Sequence, residues 1–254
     1  MKIQRLIVLF ALILSLVFTM TACGNSSSPT GTSSAGSAQT NTSSAETTAK
    51  EETAYEVTYS SAKTYKNSIG TVWVQIIFEV ENTGTTDLYL SSGSCDLEDS
   101  TGKLVGSKTM ISVYPQVISP GEKAYYYEET TLDSVTDTPQ LTVIARPDAE
   151  KAKVSKQELA VSEVEFQDDT YFGIKALGRV ENTLTEEASM TYVAIVLFDT
   201  QNKPIGLLST ILMDKLAAGD KMGFEASALS MPDDITKSAV ASFKAFSYDF
   251  QYQF

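Results

Sequence analysis

Acidic pairs stand at Glu128-Glu129, Asp168-Asp169, Glu186-Glu187 and Asp233-Asp234, and Asp96, Glu98 and Asp99 cluster just ahead of a turn. Paired carboxylates can hold Ca²⁺ or divide acid and base work in a hydrolysis, so they are the first candidates for chemistry. Their spacing argues against both roles. Asp96-Leu97-Glu98-Asp99-Ser100-Thr101-Gly102 lacks the Asp-x-Asp-x-Asp-Gly order and the distal Glu of an EF-hand loop. Neighbouring residues on a strand point to opposite faces, so consecutive carboxylates do not meet across a cleft as hydrolysis requires. The sequence also contains no His, which removes the commonest general base and the commonest metal ligand together. No catalytic residue, metal ligand or cofactor is expected, and the chain does not read as an enzyme.

Two cysteines remain, and they read differently. Lys2 and Arg5 precede an apolar run of 13 residues, Leu6 to Phe18, broken only by Ser15. A membrane-spanning helix needs about 20 apolar residues, so this run has the length of a signal-peptide core. Met20-Thr21-Ala22-Cys23 follows and resembles the bacterial lipobox, with Met20 where leucine is usual. The resemblance implies cleavage after residue 22 and a diacylglyceryl group on the Cys23 sulfur. Two acyl chains suffice for stable anchoring, whereas one gives only marginal binding. The mature chain is therefore expected on the outer face of a bacterial plasma membrane, in a Gram-positive type of envelope. Cys95 is then the only thiol left, so no intramolecular disulfide is expected. It falls on the inward parity of a strand, where Cys behaves as a small hydrophobe.

Cleavage would remove Lys2 and Arg5 and take the formal charge from −13 to −15. Such a surface repels phosphate backbones, and nucleic acid is excluded as a partner. Residues 24–53 are nearly all Ser, Thr, Ala, Gly and Asn, which cannot build a core. A flexible chain of that length spans roughly 30 Å, enough to lift a folded head clear of lipid.

Aromatic side chains offer the better binding chemistry, by stacking on sugar rings or anchoring a protein. Phe246, Tyr248, Phe250, Tyr252 and Phe254 alternate along a terminal strand, Tyr125-Tyr126-Tyr127 is expected to turn at least one ring outward, and Trp73 lies on the outward parity of its strand. Trp73, Tyr126, Tyr248 and Tyr252 are the candidate contact residues. The terminal aromatics also fit the inner face of a last sandwich strand, and Trp73 also fits a junction between domains. Leu207-Leu208 with Ile211-Leu212-Met213 fits a core, an edge or an interdomain contact.

The elements that must position these residues are short alternating segments separated by turn residues from about Tyr55 onward, the pattern of antiparallel β-structure. The pattern repeats. Val80-Glu81-Asn82-Thr83 recurs as Val180-Glu181-Asn182-Thr183, and Leu97, Asp99, Lys103 and Gly106 recur as Leu197, Asp199, Lys203 and Gly206. Asp133-Ser134-Val135-Thr136 recurs as Asp233-Asp234-Ile235-Thr236, and Pro120-Gly121-Glu122-Lys123 as Ala218-Gly219-Asp220-Lys221. In the first copy Val72, Val74, Ile76, Phe78 and Val80 are expected to face a core, with Trp73, Gln75, Ile77, Glu79 and Glu81 largely solvated. Phe172, Ile174, Ala176, Gly178 and Val180 are the matching inward positions. Asp99-Ser100-Thr101-Gly102-Lys103 and Asp199-Thr200-Gln201-Asn202-Lys203 read as hairpin turns, with Gly102 and Asn202 supplying the positive φ.

Gly178-Arg179-Val180-Glu181-Asn182, Ile195-Val196-Leu197-Phe198-Asp199 and Leu216-Ala217-Ala218-Gly219-Asp220-Lys221 with Phe224 resemble the FxLYD domain of bacterial surface proteins over about 50 residues of the second copy. Ile195 and Phe198 replace the Phe and Tyr of the motif. The first copy is a divergent relative, in which Cys95-Asp96-Leu97-Glu98-Asp99 keeps only Leu and Asp, while Asn82, Pro120 and Gly121 fit. The resemblance implies an immunoglobulin-like sandwich and brings no catalytic residues.

The expected architecture is all-β: a signal peptide (1–22), a lipidated Cys and linker (23–53), a first sandwich (54–146), a charged connector from Arg146 to Lys156, and a second sandwich (157–254). The expected function is noncatalytic binding or assembly at the envelope, with a protein partner ahead of a wall glycan. An extracytoplasmic solute-binding lipoprotein is a further alternative, but it requires two α/β lobes, and little helical periodicity follows the linker.

Overall fold

In the computed structural model, which describes residues 51–67, 69–132 and 137–249, the alternating segments become thirteen strands and one 3₁₀ turn, Lys237–Ala239. The first copy holds β1 (Tyr55–Lys66), β2 (Val72–Asn82), β3 (Leu88–Glu98), β4 (Leu104–Tyr114), β5 (Val117–Ile118), β6 (Lys123–Thr131) and β7 (Thr142–Lys151). The second holds β8 (Ala160–Asp169), β9 (Gly173–Glu181), β10 (Thr191–Phe198), β11 (Pro204–Leu212), β12 (Lys221–Ser227) and β13 (Ser242–Asp249). All described residues belong to one compact unit.

The repeat is reproduced in topology. Neighbouring strands run β1-β2-β6-β4-β3-β7 in the first copy and β8-β9-β12-β11-β10-β13 in the second, all antiparallel. Registers repeat as well: Cys95 pairs with Ala145 and Leu97 with Gly106, as Ile195 pairs with Ala245 and Leu197 with Gly206. In the first copy β4 changes partner along its length. Leu104–Ile111 lies on β3 and Ser112–Tyr114 on β6, which folds the sheet over its own core. The described residues thus form antiparallel β-sandwiches with separate cores, one around Val74, Ile76, Phe78, Cys95 and Tyr126 and one around Ile174, Ala176, Val193, Ile195 and Phe224.

Matching side chains close matching turns. Asn82 Nδ2 donates to the Thr86 and Ile118 carbonyls at 2.9 and 3.0 Å, and Asn182 Nδ2 to those of Glu186 and Leu216 at 2.8 Å each. The Gly121 and Gly219 amides each donate to the carbonyl of the corresponding Asn at 2.8 Å. Asp99 and Asp199 each accept two backbone amides through Oδ1, and Gly102 and Asn202 take φ of 79° and 58°. Gly178 is required by a close approach, since a Cβ there would lie 2.5 Å from the Phe224 ring.

Four expectations need correction. The segment from Arg146 to Lys151 is no connector but the end of β7, paired as far as Leu88↔Lys151. Its charges read as a linker because this part of the strand has no buried residue. Phe172 precedes β9 in the turn and is exposed, so it does not share the inward set. The outward parity of β2 is not solvated, because Gln75, Ile77 and Glu79 are buried. Tyr125, Tyr126 and Tyr127 are all buried, so none turns outward to solvent. The Asp133-Ser134-Val135-Thr136 match and residues 1–50, including Cys23, lie outside the described residues.

The β2 and tyrosine corrections share one cause. The outer face of β2 and β6 packs against the outer face of β10 and β11, where Ile77, Tyr125 and Tyr127 meet Ala194, Val196, Phe198 and Leu207. Each of these strands is therefore buried on both faces. That explains why Val72–Phe78 and Thr191–Phe198 carry apolar residues on both parities rather than alternating cleanly.

Candidate functional site

Among the described residues, the candidate contact residues form no exposed aromatic platform. Tyr126 is in the first core, its ring stacked on Phe78 at 4.4 Å and its hydroxyl donating to the Ser91 carbonyl at 2.9 Å. Tyr248 is buried at the seam end of β13 and stacks on Tyr192 at 5.5 Å. Trp73 is half-buried, and its indole N–H is enclosed without an acceptor among the described residues. Tyr252, with Phe250 and Phe254, lies outside the described residues. Phe246 packs into the seam against Tyr125, so the described part of the terminal aromatic face turns toward the first copy rather than into its own sandwich core. Leu207 joins the seam and Leu208 the second core, while Ile211 and Met213 are exposed.

The seam instead brings polar groups together. Gln75 on β2 is 3% exposed, and its Nε2 donates to the Tyr127 hydroxyl at 3.0 Å and to the Met231 sulfur at 3.2 Å. Tyr127 donates in turn to Glu129, whose other oxygen accepts the Ser230 amide at 2.8 Å. Tyr65 donates to the Ser230 carbonyl at 2.9 Å. The chain of bonds crosses from β2 and β6 to the segment between β12 and β13, so it ties the copies together. Burial pushes the Glu129 carboxyl above its ordinary value, only partly offset by the hydrogen bonds from Tyr127 and Ser230. Burial likewise raises the Tyr127 hydroxyl well above the usual phenol range, and the neighbouring Glu129 charge adds to it.

Glu79, on the same face of β2, behaves oppositely. Burial works against its ionisation, but hydrogen bonds from Lys123 at 2.5 Å and Thr58 at 2.6 Å outweigh that and hold its carboxyl below the ordinary value. Lys244 on β13 donates to the Tyr125 hydroxyl at 3.1 Å, with its ammonium 5.7 Å from that ring and 5.8 Å from the Phe198 ring, within cation–π range.

Beside this network the seam opens into a cleft of about 190 Å³. Tyr59, Ser61 and Lys63 line it from β1, Gln75 and Ile77 from β2, Asp199, Pro204 and Ile205 from the β10–β11 hairpin, and Asp234, Ile235 and Ala239 from the last loop. Lys63 forks onto both Asp234 oxygens, at 2.5 and 2.6 Å. Both partners are well exposed, so this pair contributes at most about 1 kcal/mol and opens readily.

The acidic pairs do not assemble into a centre. Asp96 is tied to Arg146 and Ser107, Asp99 to its own turn, and Glu187 to Lys215. Among the described residues no group of three or more His, Cys, Asp or Glu could hold a metal ion. Cys95 is a free, buried thiol in the first core, and burial pushes it up to about 11.

The cleft, and the network that joins Gln75 to Tyr127 and Glu129, were missed from the sequence, although one signal pointed to them. Gln75 and Glu79 interrupt a run that is otherwise apolar on both parities, and a polar residue on a doubly buried strand needs a partner. No protein-family model matches the chain, and no curated protein matches it.

Proposed function

We propose that the chain is a lipid-anchored, noncatalytic binding protein of the bacterial envelope, whose tandem sandwiches form one head and whose binding site is the cleft at their seam. The observation that carries this reading is the cleft itself, because ligand sites favour the junctions between domains and need a few fixed polar groups in an apolar wall. Ile77, Ile205 and Pro204 supply the wall here, and Gln75, Lys63 and Asp199 the polar groups. The anchor through Cys23 and the linker of residues 24–53 would hold this head outside the membrane. Membership of both copies in the FxLYD family is part of the proposal. Asn182, Asp199 and Gly219, on which that resemblance partly rests, fix turns in the second copy, as Asn82, Asp99 and Gly121 do in the first. A protein partner is preferred to a wall glycan, because two of the rings singled out for stacking on sugar, those of Tyr126 and Tyr248, are buried.

The test is affinity capture after crosslinking on intact cells, scoring envelope proteins and wall glycans together, with wild type and Cys23→Ala compared. Recovery of a partner by wild type, together with loss of lipid labelling in Cys23→Ala, is expected. Recovery of neither class would overturn the binding role, and unchanged labelling would overturn the anchor.

A further inference from the structure

We infer that the seam cleft receives an organic cation on an apolar stem, the ammonium or guanidinium of a Lys or Arg side chain presented by a protein partner. This inference rests on the binding role proposed above and names the chemistry of its ligand.

Three features of the cleft converge on that chemistry. The first is an acceptor at the cleft on an otherwise buried side chain. Gln75 is 97% buried and lines the cleft, and its Nε2 is committed to Tyr127 and Met231. The Tyr127 hydroxyl is itself committed to Glu129, so it accepts from the amide, and this fixes Nε2 on that side. The Gln75 carbonyl oxygen is left without a donor among the described residues. That oxygen is reached from the cleft, so a donor entering there would take the place of solvent on it.

The second feature is unspent negative charge. Asp199 Oδ1 is held by the Gln201 and Lys203 amides at 2.8 and 2.9 Å, while Oδ2 has no partner among the described residues. Lys63 neutralises Asp234, so of the three charged side chains lining the cleft only Asp199 is uncompensated. An acceptor-rich cleft with one surplus negative charge selects a donor-rich cation. The formal charge of −13 steers cations in the same direction over longer range.

The third feature is shape. A volume of about 190 Å³ is below the roughly 300–1,000 Å³ of small-molecule pockets, so the cleft suits one long side chain better than a cofactor. Ile77, Ile205 and Pro204 give the methylene stem of such a side chain an apolar wall while its head reaches the polar groups.

The experiment is an NMR titration of the full chain in detergent micelles, followed at the Gln75 side-chain amide. The probes are a blocked tripeptide Gly-Lys-Gly, its Arg counterpart, its norleucine counterpart, and methyl glucoside. The Lys and Arg peptides should shift the Gln75 amide, and the norleucine peptide should bind at least tenfold more weakly. Asp199→Asn keeps the turn-forming oxygen but removes the charge, and should weaken the Lys peptide at least fivefold with the thermal midpoint unchanged. Lys63→Met releases Asp234 and should strengthen the same peptide several-fold. Equal binding of the norleucine peptide, saturation by the glucoside alone, weaker binding by Lys63→Met, or no response at Gln75 would each overturn the inference. If cells yield a partner while the Lys peptide leaves Gln75 unmoved, the cation is wrong and the binding role stands.

Discussion

Tyr125 of the first sandwich and Phe198 of the second meet edge to face across the seam, ring centroids 5.7 Å apart and planes at 77°. Both are almost wholly buried, and both belong to a cluster separate from either sandwich core. Their contact couples the copies, and it sits on the same strand faces that carry Gln75 and the floor of the cleft.

Removing that contact should cost heavily. Phe198→Ala is expected to destabilise the protein by about 3–5 kcal/mol, the usual range for deleting a buried Phe. Trp73 is the sole tryptophan and reports on the first copy, whereas circular dichroism reports on both. In urea the two signals should coincide in wild type and separate in Phe198→Ala. A cost below about 1 kcal/mol with coincident curves would mean that the seam contributes little.

Asn82 and Asn182 should behave as a matched pair. Each is buried, donates to two carbonyls, and accepts an amide two residues on through its own oxygen. Replacing either by Asp keeps the acceptor but loses both donations, leaving buried carbonyls unmet at about 1–3 kcal/mol each. Chemical denaturation should therefore show Asn82→Asp and Asn182→Asp strongly and similarly destabilised. A near-neutral result at either site would break the structural equivalence of the copies.

Two seam-face glutamates give opposite pH signatures. Glu129 has a folded pKa raised above the ordinary 4.5, so its stabilising contribution is complete below 4.5 and is lost as pH rises through the folded value. Glu79 has a folded pKa lowered below 4.5, so its contribution is present above 4.5 and is lost as pH falls through the folded value. Relative to wild type, Glu129→Gln should gain thermal stability as pH rises above 4.5. Glu79→Gln should be less stable above 4.5, with the gap closing on acidification. Melting curves across pH 3–8 check both signs, and parallel curves for the three proteins would contradict both.

Cys95 should be inert in the folded protein. Its thiol is buried and pushed up to about 11, so little thiolate exists near neutrality and reagent cannot reach it. A thiol-reactive dye is expected to label it only in denaturant, at a rate set by unfolding. Fast stoichiometric labelling of native protein would overturn its place in the core.

Much of each copy was legible from the chain. The hundred-residue offset predicted matched strands, and the structure pairs Cys95 with Ala145 as it pairs Ile195 with Ala245. Asp99 with Gly102 and Asp199 with Asn202 announced their turns because positive φ and side-chain acceptance of backbone amides are local requirements. The seam was not legible, because alternation tells which face is inward within one sheet but not whether a second sheet covers the outer face. Gln75 therefore read as solvated, and Tyr126 and Tyr248 as available rings. The closing stretch of β7 failed differently, since a strand without a buried residue has the composition of a linker.

The central claim is that this head binds a partner through the seam cleft, and photo-crosslinking on intact cells tests it most directly. A photoreactive residue is placed either at Ser61 inside the cleft or at Tyr171, which is 89% exposed on the β8–β9 turn of the second copy. The predicted result is a discrete protein adduct from position 61 that is absent from position 171 and is lost with Asp199→Asn. Adducts from position 171 alone, or a position 61 adduct indifferent to Asp199, would contradict it.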